Sequence, residues 1–251
     1  MRRRLVAGNW KMNGSRAMAE GLARAVVAAD IDPAIEVLLC PPTPYLAAVA
    51  ACVMASPIAL GAQDCSEFEA GAYTGETAAA MLRDCGCTYV VVGHSERRQF
   101  FGDSDRRVAA KVTAAQAQTL VPIVCIGETL AERRAEATEA VIARQLNAIM
   151  QLPDARVVLG GLVIAYEPVW AIGTGEAATP AQAQAAHAFI RARIAAFDPA
   201  LARSMRILYG GSVKADNAAE LFAMSDIDGG LLGAAALLAT SFIAVCRAAI
   251  A

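Results

Sequence analysis

The stretch YVVVGHSERR (89–98) carries an imidazole out of a run of valines: His94 follows Gly93 and precedes Ser95, Glu96, Arg97 and Arg98. The chain has only two histidines, and a polar ring at the end of an apolar run needs a partner or a task. Other polar groups also follow apolar runs: Asn9 and Lys11 after RLVAG, Gln63 and Asp64 after PIALGA, and Glu128 after LVPIVCIG. Glu167 follows LVIAY, Gly210 to Ser212 follow MRILY, and Gly233 follows DIDGGLL. This set joins a cation, an imidazole, several carboxylates and glycine-rich loops. Backbone amides at GGS and LLGA can approach a phosphate closely, and Lys11 can neutralise it. An imidazole can donate to a carbonyl oxygen while a carboxylate removes a proton from the adjacent carbon, which is enolisation. One small phosphorylated substrate follows, and no metal or cofactor is required.

Position alone leaves the base open among Glu96, Glu128 and Glu167. The segment after Glu167, PVWAIGTGEAATP, begins with stiff Pro168 and carries Gly173 and Gly175 near its tip, so it is suited to close as a lid. A base beside such a lid is desolvated on closure, which favours Glu167. Glu128, at the start of a helix, is read as favouring that helix N-terminus. His187 is read as a structural helix residue, Trp10 and Trp170 as packing, and one of Arg97 and Arg98 as an ion-pair partner between loops or across an interface.

Those polar groups need a frame. Short apolar runs alternate with alanine-rich stretches: RLVAGNW, IEVLLC, PIALGAQ, CTYVVVGH, LVPIVCIGE, LVIAYEP, MRILYGG and DIDGGLLG are the strands. They lack in-out alternation, as strands buried on both faces do. Helices are predicted near 15–29, 43–54, 78–85, 104–118, 129–150, 180–197, 214–224 and 237–250. The sixth is the best signed, with Thr179 as cap, Pro180 in the first turn and Gln182 closing a capping box. Strict strand and helix alternation permits a doubly wound sheet or a closed barrel. The first strand runs into GNWKMNG instead of GxGxxG, so the expectation is an α/β fold, a closed (β/α)8 barrel forming a single catalytic domain over residues 1–251. Its polar strand ends then form one ring at one mouth.

Composition narrows the partners. The 22 Lys and Arg against 24 Asp and Glu are scattered and leave a formal charge of −2, so no basic face for nucleic acid is built. MRRRLVAG is too short in its apolar part for a signal peptide. The apolar tail GAAALLATSFIAVCRAAIA is broken by Arg247, Thr240 and Ser241 and is read as a helix lying on the sheet instead of a membrane span. Seven cysteines without a CxxC pair suit reduced thiols in a cytoplasmic protein, with Cys40 and Cys65 as packing residues.

GNWKMNG, GAYTGE, VVGHSERR, VCIGETLAER, AYEPVWAIGTG and YGGSVKADN stand in order over nearly the whole chain, and together they resemble the triosephosphate isomerase family. The resemblance implies interconversion of dihydroxyacetone phosphate and D-glyceraldehyde 3-phosphate through an enediolate, a step of glycolysis and gluconeogenesis. It implies Glu167 as the base, His94 as a neutral electrophile, Lys11 and Asn9 on substrate, and Gly173, Ser212, Gly233 and Ala234 around the phosphate. Ser95 and Glu96 would support them. It also implies a homodimer whose loop GAQDCSEFEAGAYTGE brings Thr74 towards the partner's site. The chain departs from the family pattern at Ala234, where glycine is usual and an alanine at positive φ would be strained, and at Glu176, Ala177 and Ala178 in the far lid hinge. A Schiff-base aldolase using Lys11 and a catalytically silent scaffold are the alternatives on the same fold.

Overall fold

The computed structural model of the chain describes residues 2–172 and 178–250. Its strands are β1 (Leu5–Asn9), β2 (Glu36–Cys40), β3 (Ala59–Ala62), β4 (Tyr89–Val92), β5 (Val121–Ile126), β6 (Val163–Tyr166), β7 (Ile207–Tyr209) and β8 (Gly229–Leu232). All pair in parallel and in sequence order, and β8 returns to β1 in the register Leu5 to Gly229, so the sheet closes as a barrel. Gly229, at φ +131°, permits that closure: a Cβ there would stand 2.0 Å from the Leu5 carbonyl oxygen.

The strands read as continuous apolar runs because each face meets a different core. Leu5, Ala7, Tyr89, Val91, Ile123, Cys125, Val163, Ala165, Leu208 and Leu231 fill the barrel. Their neighbours Val6, Val90, Val92, Val124, Ile126, Ile164, Ile207 and Leu232 pack outward against the helices. Fully burying one such side chain stabilises by about 1.5–3 kcal/mol, so both layers contribute substantially.

The helices are α1 (Arg16–Val27), α2 (Leu46–Val53), α3 (Ala79–Asp84), α4 (Ser95–Phe101), α5 (Asp105–Ala117), α6 (Leu130–Arg134), α7 (Thr138–Met150), α8 (Ala155–Gly160), α9 (Pro180–Phe197), α10 (Pro199–Ser204), α11 (Ala218–Phe222) and α12 (Ala239–Ala248). The predicted start of α9 is present: Thr179 caps it, Gln182 completes the capping box and Pro180 opens the first turn. The single helix expected over 129–150 is instead two, divided where Glu136 takes φ +55°. Three short helices, α4, α8 and α10, were not expected; each is one or two turns, too short for a periodic apolar face to register. The apolar tail forms α12, whose buried Phe242, Val245 and Cys246 face the barrel. Among the described residues no helix is long and apolar enough to cross a membrane.

Candidate active site

The alternation that sorts the strands also selects what points into the mouth. Residues 5, 7 and 9 face inward, as do 163, 165 and 167, so Asn9 and Glu167 continue the interior rows beyond the apolar part. Glu128 falls on the opposite parity from Ile123 and Cys125 and turns outward. A cavity of about 830 Å³ opens at this mouth, lined by Asn9, Lys11, His94, Ser95, Glu96, Ser212, Gly233 and Ala234 among others. Gly173 lies outside the described residues, as do Glu176 and Ala177, while Ala178 is buried. Thr74 is exposed in the loop between β3 and α3 and does not line the cavity.

His94 reaches the site by a sharp turn. Gly93 takes φ +68°, and a Cβ there would lie 2.7 Å from a Val108 methyl, so a bulkier residue would displace α5. His94 then caps α4, its Nδ1 accepting the Glu96 backbone N–H at 3.2 Å. A nitrogen that accepts carries no proton, so the neutral ring holds its proton on Nε2. Nε2 stands 3.0 Å from Glu167 Oε1.

Glu167 is held on the far side of that turn. The Ser95 N–H donates to Oε2 at 2.9 Å and Ser95 Oγ donates to Oε1 at 3.2 Å. Burial favours the uncharged carboxyl, but His94 and the two Ser95 bonds outweigh it and hold the Glu167 pKa below the usual carboxylate range. Burial resists protonation of His94, while the neighbouring Glu167 charge and hydrogen bond prevail and raise its pKa. Gly210 leaves room for the Glu167 side chain where it stands, since a Cβ there would meet Glu167 Cγ at 2.9 Å.

Lys11 sits in a left-handed backbone at φ +52°, a strain of roughly 1–2 kcal/mol for a non-glycine residue. Its own N–H donates to Asn9 Oδ1 at 3.0 Å. Gln63 Nε2 donates to the carbonyls of Lys11 and Cys40, both at 2.9 Å, and so pins the turn. Lys11 Nζ lies 2.6 Å from Glu96 Oε1, an ion pair that fixes the end of the side chain at the mouth.

Several expectations change here. Glu128 does not simply face the α6 N-terminus. Its fully buried carboxylate accepts from Tyr166 Oη at 3.2 and 3.1 Å, from Trp170 Nε1 at 3.0 Å and from Arg133 at 3.1 Å. Arg133 also lies 4.2 Å over the Trp170 ring. Glu128 thus fastens the near root of the segment after Glu167. Ala234 is not at positive φ; it opens a 3-10 turn behind Gly233, whose φ −94° and ψ −102° make the bend, so the expected strain does not arise.

Both arginines after His94 are paired within the chain. Arg97 meets Asp64 at 2.7 Å and Asp103 at 3.3 Å, and Arg98 meets Asp105 at 2.6 Å and the Gly93 carbonyl at 2.8 Å. His187 is wholly buried between α9 and the strands, near the rings of Tyr166 and Tyr209. Cys40 and Cys65 are buried, and burial pushes the Cys65 thiol up to about 12, which suits packing. Gln63 stood in the ring without an assigned task, and Gln145 was not singled out at all. Its signal is one polar residue within the apolar stripe of α7.

The triosephosphate isomerase family model matches residues 4–249. The chain belongs to the triosephosphate isomerase family. Its relatives include the triosephosphate isomerase of Thiobacillus denitrificans, 56% identical over 252 residues with 99% of each chain covered. The triosephosphate isomerase of Halorhodospira halophila is 55% identical, again with 99% of each chain covered. That of Dechloromonas aromatica is 53% identical, covering 99% of this chain and 100% of the relative. As a member of an isomerase family, the chain is an enzyme whose barrel mouth is the place to seek the chemistry.

Proposed function

We propose that this chain interconverts dihydroxyacetone phosphate and D-glyceraldehyde 3-phosphate, with Glu167, His94 and Lys11 as its catalytic residues and the whole of residues 1–251 as one catalytic domain. The contact of Glu167 with His94 Nε2, on a ring whose other nitrogen is already engaged as an acceptor, carries the assignment. In the proposed course the phosphate rests against Ser212, Gly233 and Ala234, joined by Gly173, and Asn9 orients the substrate. Glu167 leaves Ser95 and removes a proton from the carbon beside the carbonyl. Nε2–H of His94 donates to the carbonyl oxygen, and the Lys11 ammonium offsets the negative charge that develops there. The carboxyl of Glu167 then returns its proton to the neighbouring carbon, and the proton that passes between the two oxygens is assigned to His94. Ser95 holds the base at rest and Glu96 holds both the imidazole and Lys11. This course uses no metal or cofactor.

The same reading makes the enzyme a cytoplasmic homodimer with no nucleic-acid or membrane partner. The loop carrying Thr74 supports it: Phe68 and Tyr73 are stacked at 4.0 Å and half-exposed, an apolar tip suited to insertion into a second copy. One experiment tests both parts: isomerisation in a coupled assay, wild type beside Glu167→Gln, on protein whose mass is set by sedimentation. The expected species is two chains, and kcat should fall by roughly 10² to 10⁴ in the variant. Wild-type turnover by Glu167→Gln would remove Glu167 as base; an active single chain would remove the dimer.

A further inference from the structure

Gln145 is a nearly buried amide on α7, set among Val141, Ile142, Leu146 and Ile149. Such a group in an apolar stripe is unfavourable unless its hydrogen bonds are made. It makes them with one residue: Gly127 N–H donates to Gln145 Oε1 at 2.8 Å, and Gln145 Nε2 donates to the Gly127 carbonyl at 3.2 Å. Gly127 follows the last residue of β5, so a side chain takes over where the strand ends.

Gly127 is the wall against which the base stands. A Cβ at Gly127 would lie 1.8 Å from the Glu167 carbonyl oxygen, so the two backbones touch with nothing between them. The neighbouring residues continue the contact: Glu167 N–H donates to the Ile126 carbonyl at 2.8 Å, and Val169 N–H donates to the Glu128 carbonyl at 3.1 Å. The peptide fixed by Gln145 therefore sets the height and tilt of residue 167 and of the segment that follows it.

We infer that Gln145 is a positioning residue for the reaction, holding the Gly127 peptide so that Glu167 swings to the reacting carbon from a fixed root. This rests on the assignment of Glu167 as base. Gln145→Met keeps the length and removes both hydrogen bonds; Gln145→Glu keeps the acceptor for Gly127 N–H and removes the donor. Since a misplacement near 1 Å costs up to about 10²-fold, kcat for Gln145→Met should fall by roughly 10-fold or more with KM within about twofold. Gln145→Glu should fall between that variant and wild type.

Each is also made in a Glu167→Gln background. There the substitution at 145 should change the residual kcat by less than about twofold, because the group it positions is already disabled. An equal loss in both backgrounds, or wild-type kcat in Gln145→Met alone, overturns the inference and leaves Glu167 untouched as base. Wild-type turnover by Glu167→Gln alone overturns the base and this inference with it. Where Gln145→Met does not fold, Gln145→Glu is judged by the same comparison.

Discussion

Glu167 rests with its carboxylate turned into the N-terminus of α4, on Ser95 and His94. That rest position keeps the buried Glu167 carboxylate charged, its pKa held down by His94 and Ser95 against the cost of burial. The amide of Glu96 occupies Nδ1, so the neutral ring presents its donor on Nε2, towards Glu167. Ala234 belongs to the same scale. It departs from the family's glycine, yet its backbone avoids the left-handed region. Ala234→Gly should therefore leave kcat/KM within about twofold and lower stability by roughly 0.4–1 kcal/mol, since glycine only adds freedom to the unfolded chain. Steady-state kinetics and urea unfolding of that variant decide it; a clear gain in kcat/KM would show that the alanine does hinder the phosphate loop.

At the scale of elements, the ends of β5 and β6 share one support. Glu128 gathers Tyr166, Trp170 and Arg133, so the root of the segment after Glu167 is tied to the barrel wall. Glu128→Leu removes the buried acceptor that Tyr166, Trp170 and Arg133 share. A stability loss of roughly 2–4 kcal/mol is expected. A fall in kcat of about tenfold should accompany it, because Trp170 no longer fixes where the segment starts. Urea titration and the coupled assay measure the two separately; full turnover with lowered stability would confine Glu128 to folding.

At the scale of the whole molecule, the two ends of the barrel divide the work. Opposite the mouth, Asp228 meets Arg2 at 2.6 Å and Arg191 at 2.8 Å, and Arg206 bridges Glu36 and Tyr89, so that end is closed by ion pairs. His187 makes the fold sensitive to acid. Burial, only partly offset by the bond to the Asp226 carbonyl, lowers its pKa from 6.5 to about 3. The unfolded chain then takes up a proton below pH 6.5 that the folded chain refuses. Stability from this group is whole above pH 6.5 and is lost as pH falls towards 3, at about 1.4 kcal/mol per pH unit. Asp226, itself lowered by its hydrogen bonds despite burial, adds to the loss only below its ordinary 3.8. Urea unfolding between pH 7 and 4.5 should show this slope in wild type and a flatter one in His187→Gln; parallel curves would exclude His187 as the source.

Strand order, the closed barrel and the ring of polar residues were legible in the chain itself, because each strand is a continuous apolar run and each run ends in a chemically distinct group. The start of α9 was legible for the same reason: Thr179, Pro180 and Gln182 act within one turn. What depended on packing between distant segments was not. Glu128 and Glu167 both follow apolar strands, and only strand parity in the closed barrel turns one outward to Trp170 and the other inward to His94. Ala234 looked strained until the bend fell on Gly233, and Gln145 gains meaning only where α7 lies against the end of β5. Local sequence determined the groups available and the elements that carry them, since those rest on short-range periodicity and capping. Tertiary structure decided which groups meet, because hydrogen bonds between residues 18 to 72 positions apart exist only once the barrel has closed.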